Sequence, residues 1–113
     1  MLIEKGIVAA LVAASPGAAY YTAPTTLKKA IIKSLSFCNT DTTPQSVTIY
    51  LVPSGGSAGA ANTLVSARSL LAGESWCCQE AENKVLAAGD ALTCLASTAS
   101  KISVQSTILE HSY

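Results

Sequence analysis

Four cysteines and a single histidine carry most of the chemistry available to this chain; they stand at positions 38, 77, 78, 94 and 111. Thiols form disulfides, bind soft metals or act as nucleophiles. Cys77 and Cys78 are adjacent, so on a strand they point to opposite faces, which disfavours a disulfide framework built on the pair. A zinc site lacks ligands, because there is no Cys-x-x-Cys spacing and His111 is the single imidazole. Cys38 and Cys94 fall in apolar, strand-like runs, where free cysteine behaves as a small hydrophobe. The four are therefore expected as buried, reduced thiols, with no metal bound.

Hydrolytic chemistry needs a nucleophile, a base and a group that orients the base. Serines abound, but the base candidate is His111, close to the end of the sequence and expected as a solvated tail residue. Glu74, Glu80, Glu82 and Asp90 each sit in a turn or beside a strand end. Their spacing gives no reason to gather them into a calcium or sugar site. The glycine-rich run Ser54–Gly59 lacks the Lys-Ser/Thr pair and following helix of a phosphate loop, and reads as a mobile surface connection. No catalytic residue, cofactor or metal is assigned, and the chain is expected not to be an enzyme.

Aromatic residues are few: one Phe, one Trp and four Tyr. Tyr20 and Tyr21 place one ring inward and one outward if their segment is a strand. Trp76 reads as a core residue or an interface anchor, since Trp and Tyr are enriched at binding hot spots. With Leu2, Ile3 and Ile7 of the apolar amino-terminal run, these three make the candidate interface set.

The elements that must position these residues are strands. The 113 residues suit a single domain, which typically spans about 100–150 residues. Apolar runs of similar short length alternate with Asn-Thr-Asp, Pro-Ser-Gly-Gly, Ala-Gly-Glu, Ala-Gly-Asp and Thr-Ala-Ser-Lys turns. Gln45–Pro53 is the clearest strand, with Val47, Ile49 and Leu51 on one face and Thr48, Tyr50 and Val52 on the other. Ala30–Cys38 puts Ile31, Leu35 and Phe37 on one side; Lys33 then falls on that apolar side, so it snorkels or the register bends there. Ala18–Thr22, Thr63–Leu71, Ser75–Gln79 and Ala91–Ser97 are further strands. The last, from Ile102, turns Val104, Ser106 and Ile108 inward and ends at Glu110. Glu80–Ala88 breaks the rhythm and suits a helical turn or an ordered loop. This spacing predicts an all-β, single-domain antiparallel β-sandwich or jelly roll of about eight short strands over residues 1–113.

The amino-terminal segment resembles a secretory signal: a charged start, the apolar run GIVAALVAA, then Ser15-Pro16-Gly17. Glu4 cancels Lys5, and the run is far below the roughly 18 apolar residues of a membrane helix. Ile7–Ala13 is instead read as a buried strand, with residues 1–14 an amino-terminal arm or edge strand able to add to a neighbouring sheet. Seven basic residues balance seven acidic ones, which leaves no electrostatic footprint for nucleic acid or an anionic membrane. Near-zero net charge also favours association, so copies of the chain are expected to oligomerise.

Tyr21-Thr-Ala-Pro24, then KKAIIKSLSFCNTD, VTIYLVPSGGSA and KVLAAGDALTCLAST form a combination that resembles small structural proteins of tailed-phage virions. The match runs from Tyr20 to about Glu110 and rests on turn-forming elements, Asn39-Thr40, Leu51–Gly56 and Leu86–Asp90. The resemblance implies a virion protein assembled in the host cytoplasm. Within it the favoured role is a capsid cement or decoration protein, trimeric and bound to the major capsid protein or another virion protein. A tail, baseplate or fibre component, or a carbohydrate-binding adhesion module, is the alternative.

Overall fold

A computed structural model of the chain describes residues 2–12 and 19–112. Among them nine strands form: β1 (Leu2–Leu11), β2 (Tyr21–Thr22), β3 (Leu27–Asn39), β4 (Gln45–Val52), β5 (Thr63–Leu70), β6 (Ser75–Cys77), β7 (Val85–Ala87), β8 (Ala91–Ala96) and β9 (Ile102–Ser112). Two short 3-10 turns, Ala60–Asn62 and Gln79–Ala81, complete the described elements. One sheet has the order β1-β9-β3-β6, with β7 also against β3, and the other the order β2-β8-β4-β5. Every pairing is antiparallel. These two four-strand paths are the jelly-roll order, so the all-β sandwich expected from the turn spacing is the observed fold.

Alternation explains why the sheets pack. Ala30, Ile32, Leu35 and Phe37 of β3 and Ile102, Val104, Ser106 and Ile108 of β9 are all buried. They meet Val47 and Ile49 of β4, Leu92, Cys94 and Ala96 of β8, and Leu70 of β5 in one core. Each fully buried Ile, Leu or Phe contributes about 1.5–3 kcal/mol relative to exposure. The β3 pattern differs from simple alternation at one place. Ile32, not Ile31, is fully buried, and Lys33 is exposed. The register between β3 and β9 shifts between Ile32 and Ser34, so a bulge absorbs Lys33 and turns its charge outward.

The other edge of β3 is covered in two pieces on either side of that bulge. β6 pairs with Ser36–Cys38 and β7 with Lys29–Ile31. The Gln79–Ala81 turn bridges the gap. Cys78 N–H donates to the Leu35 carbonyl at 2.8 Å, and Asn83 N–H to the Ile32 carbonyl at 2.7 Å. Asn83 makes the bend with φ 65°, a conformation Asn tolerates better than most residues. The Glu80–Ala88 segment is thus a 3-10 turn followed by a three-residue strand.

Other boundaries also move. β1 begins at Leu2, well before Ile7, while Ala13 and the Ser15-Pro16-Gly17 turn lie outside the described residues. Tyr21–Thr22 is shorter than the expected strand from Ala18, and Ala18 too lies outside them. β9 runs past Glu110 to Ser112. In β5 the alternation fails: residues 66–69 are exposed in succession, around Ala67 at φ 48°. Register shifts against β4 mark a bulge on this edge strand, a feature that discourages unwanted pairing.

Candidate functional site

The thiols do not share one environment. Cys78 and Cys94 are buried, Cys38 is half-buried and Cys77 is exposed. All four are free, but the expectation that all are buried fails for the strand β6. Trp76 turns inward there to stack on Phe37, which forces its neighbours Ser75 and Cys77 outward. Burial pushes the Cys94 thiol up to about 12, and burial also raises that of Cys78. Both remain protonated hydrophobes at neutral pH.

On β3, Phe37 and Asn39 are buried while Ser36 and Cys38 face out. Ser36 pairs with Cys77 and Cys38 with Ser75, so both outward thiols belong to one outer face of the β1-containing sheet. Ser36 Oγ lies 3.7 Å from Cys77 Sγ. A shallow depression of about 180 Å³ opens there, lined by Ser36, Phe37, Cys38, Ser75, Ser103 and Gln105. None of these residues is charged.

Trp76 is half-buried, and its ring closes one side of the sandwich. It stacks on Phe37 with centroids 5.8 Å apart, and the Arg68 guanidinium of β5 sits 4.7 Å from the ring centroid. Arg68 was not marked by the sequence; Trp76 follows it by eight positions but on a strand of the other sheet, and strand alternation carries no signal for a contact between sheets.

Tyr20 and Tyr21 do not split one in and one out. Both hydroxyls reach β9: Tyr20 shares a hydrogen bond of 2.7 Å with Ser106 Oγ, and Tyr21 donates to the Glu110 carboxylate at 2.5 Å. Burial raises the Tyr21 phenol well above its ordinary value, and the Glu110 bond adds to this. Burial likewise raises Tyr20. The pair ties the shortest strand, β2, to the opposite sheet.

Leu2, Ile3 and Ile7 lie on β1, which pairs with β9 of its own chain from Leu2 opposite His111 to Leu11 opposite Ser103. β1 is the outermost strand of its sheet. His111 is not a tail residue: it sits in β9, half-buried and opposite Lys29 of β3.

The remaining candidates are structural ties. Glu74 accepts the Leu71 N–H at 2.7 Å. Asp90 accepts the N–H groups of Ser54 and Ala87 at 2.9 and 3.0 Å, stapling the β4 exit to the turn before β8. Glu80 accepts a long thiol hydrogen bond from Cys78. Among the described residues, no three Cys, His, Asp or Glu side chains gather where they could hold a metal ion. The Ser54–Gly59 run, read as a mobile connection, is stapled by Asn62, whose Oδ1 accepts the Gly59 N–H and whose Nδ2 donates to the Ser57 carbonyl. With Ala19, Val52, Ala91 and Thr93, its Gly56–Ala58 portion lines an uncharged groove of about 440 Å³. No described helix is long and apolar enough to cross a membrane.

No protein-family model and no curated protein matches the chain. Among solved structures it is similar to a subunit of the Bacillus endospore appendages described as "a novel family of disulfide-linked pili". The TM-score is 0.57 at 16% identity, covering 98% of this chain and 88% of that one. At that identity the likeness shows a shared fold. It nevertheless overturns the tailed-phage resemblance, because the matched jelly roll belongs to a bacterial spore appendage. The elements on which that resemblance rested are turns, which close corners of a sandwich and carry no function. The cement role and its tail and adhesion alternatives are set aside. So are the trimer, the capsid partner and the virion location.

Proposed function

We propose that this chain is a non-enzymatic structural subunit that associates with copies of itself into a filamentous appendage on a cell or spore surface. The observation that carries this reading is the jelly-roll likeness to a pilus subunit over nearly the whole of both chains. Two features of the chain support it. Among the described residues the ten-residue β1 ends its sheet with an open edge, and open edges are where strands of neighbouring molecules add. Net charge is zero, so copies do not repel one another.

A catalytic role finds no support in the placement of His111, which lies in a strand opposite Lys29. Polymers of the solved neighbour are described as disulfide-linked, and Cys77 supplies an exposed thiol on this chain.

Sedimentation velocity of the purified protein across a concentration series tests the reading. A mass distribution that grows open-endedly with concentration is expected. A single monomeric boundary at every concentration, under both reducing and oxidising conditions, would overturn it.

A further inference from the structure

Cys38 and Cys77 share one outer face and yet are poorly placed to bond each other. Asn39 N–H donates to the Glu74 carbonyl and Cys78 N–H to the Leu35 carbonyl, so positions 39/74 and 35/78 are hydrogen-bonded pairs of the β3–β6 ladder. The pairs Ser36/Cys77 and Cys38/Ser75 are therefore the close, non-hydrogen-bonded ones. Cys38 and Cys77 stand on the diagonal between these pairs, where Cα atoms lie about 7–8 Å apart. A disulfide requires roughly 4.4–6.8 Å between Cα atoms. Within one chain the two thiols are held just too far apart by the ladder itself.

Between chains the geometry is favourable. Face-to-face sheets normally pack about 10 Å apart, too far for a disulfide between outward cysteines. Here Ser36, Cys38, Ser75, Cys77 and Ser103 are all small, so two such faces can approach closely. The depression beside Cys38 gives a side chain from the other copy somewhere to go. No charge lines the depression, and the outward Lys33 lies beyond it along β3, so two copies of the depression meet with no like charges in contact.

We propose that Cys38 and Cys77 form reciprocal disulfides between two copies of this chain, Cys38 of each bonding Cys77 of the other across a two-fold axis. A self-complementary patch meets itself in this way, with residue i on j and j on i. This pairing rests on the self-association reading above; the two-fold contact closes on itself, so growth into a filament takes a second contact between the linked pairs. A low-molecular-weight disulfide serves as oxidant. A thiolate of one copy attacks it and releases one small thiol; a thiolate of the second copy then attacks the mixed disulfide and releases the other. Each protein disulfide thus forms with loss of two thiol hydrogens, and the small disulfide is reduced to two thiols. Cys78 and Cys94, buried and protonated, take no part.

The test mixes equal amounts of unlabelled and 15N-labelled full chain, oxidises them with oxidised glutathione, and maps disulfides by mass spectrometry. A Cys38–Cys77 linked peptide carrying one light and one heavy half is expected, with a dimer on non-reducing gels that is lost in Cys38→Ser and in Cys77→Ser. Linked peptides of uniform label with no mixed-label peptide among them, glutathione caps alone, or links through Cys78 or Cys94 would overturn the pairing. Electron microscopy of the same samples separates this from the broader reading. Filaments without the mixed-label peptide sink the pairing and leave the function; mixed-label peptide without any filament does the reverse.

Discussion

Replacing Asn39 by Ala should cost about 3 kcal/mol of stability, reasoned as follows from the bonds it makes. Asn39 ends β3 on the inward face and is fully buried. Its Nδ2 donates to the carbonyls of Thr43, Leu70 and Leu71 at 3.0, 3.1 and 3.2 Å. Its Oδ1 accepts the Asp41 N–H at 3.0 Å. Two amide protons serve three carbonyls, so two donor bonds and one acceptor bond are lost, each worth roughly 1 kcal/mol net. The side chain joins the β3–β4 turn to the β5–β6 turn, and nothing else in the sequence offers both donors at that point. For a domain of this size the loss corresponds to a melting temperature lower by about 10–20 °C.

The assay is urea unfolding followed by circular dichroism, under reducing conditions so that the monomer is measured. Asn39→Asp should be worse than Asn39→Ala at neutral pH, because its carboxylate faces three carbonyls. Burial raises the folded-state pKa of that new carboxyl above its unfolded value, so stability should recover as pH falls. A loss below about 0.5 kcal/mol for Asn39→Ala at unchanged urea slope would refute the reasoning, since that is the size of an ordinary surface substitution.

Further expected outcomes concern the other ties. Gly89 has φ +87°, and a Cβ there would lie 2.5 Å from Ser54 Oγ; Gly89→Ala should cost about 2–3 kcal/mol, partly recovered by Ser54→Gly, as urea midpoints will report. Trp76→Ala should cost about 2–3 kcal/mol, less than a fully buried Trp, and a double-mutant cycle with Arg68→Ala should show a coupling near 0.5–1 kcal/mol. Because Tyr21 titrates higher folded than unfolded, its contribution is complete below about pH 10 and is lost as pH rises further; Tyr21→Phe should flatten that alkaline fall in thermal melts. A thiol reagent should modify Cys77 and then Cys38 in the native protein, with Cys78 and Cys94 reacting after unfolding; equal native reactivity of all four would contradict the assigned burial.

The fold was legible because a jelly roll writes its turns in Gly, Pro, Asn and Asp, and its core in period-two alternation. Val47 and Ile49, and Ile102 through Ile108, follow that alternation into the core. Bulges are where it failed. Lys33 disturbed the β3 pattern visibly, and the bend is real, but the same pattern put Ile31 in the core where Ile32 sits. The exposed run in β5, Ser66-Ala67-Arg68-Ser69, breaks the alternation too, although the stretch reads as a strand resuming it. The candidate surface was less legible still. That Cys77 faces out follows from Trp76 facing Phe37, a partner 39 positions away whose register no local pattern reveals. Tyr20 and Tyr21 both find partners on β9 because Tyr20 precedes the strand, in a bend that frees it from alternation. Turn chemistry also misled, since Asn39-Thr40 and Leu86–Asp90 look like marks of one protein group, whereas in this chain they close corners: Asn39 holds the Leu70 and Leu71 carbonyls, and Asp90 the N–H groups of Ser54 and Ala87.

The most direct test of the central claim is negative-stain electron microscopy of the purified full chain at high concentration under oxidising conditions. Filaments of uniform width are the predicted result. Dispersed monomers, or closed particles of fixed size at every concentration, would contradict it.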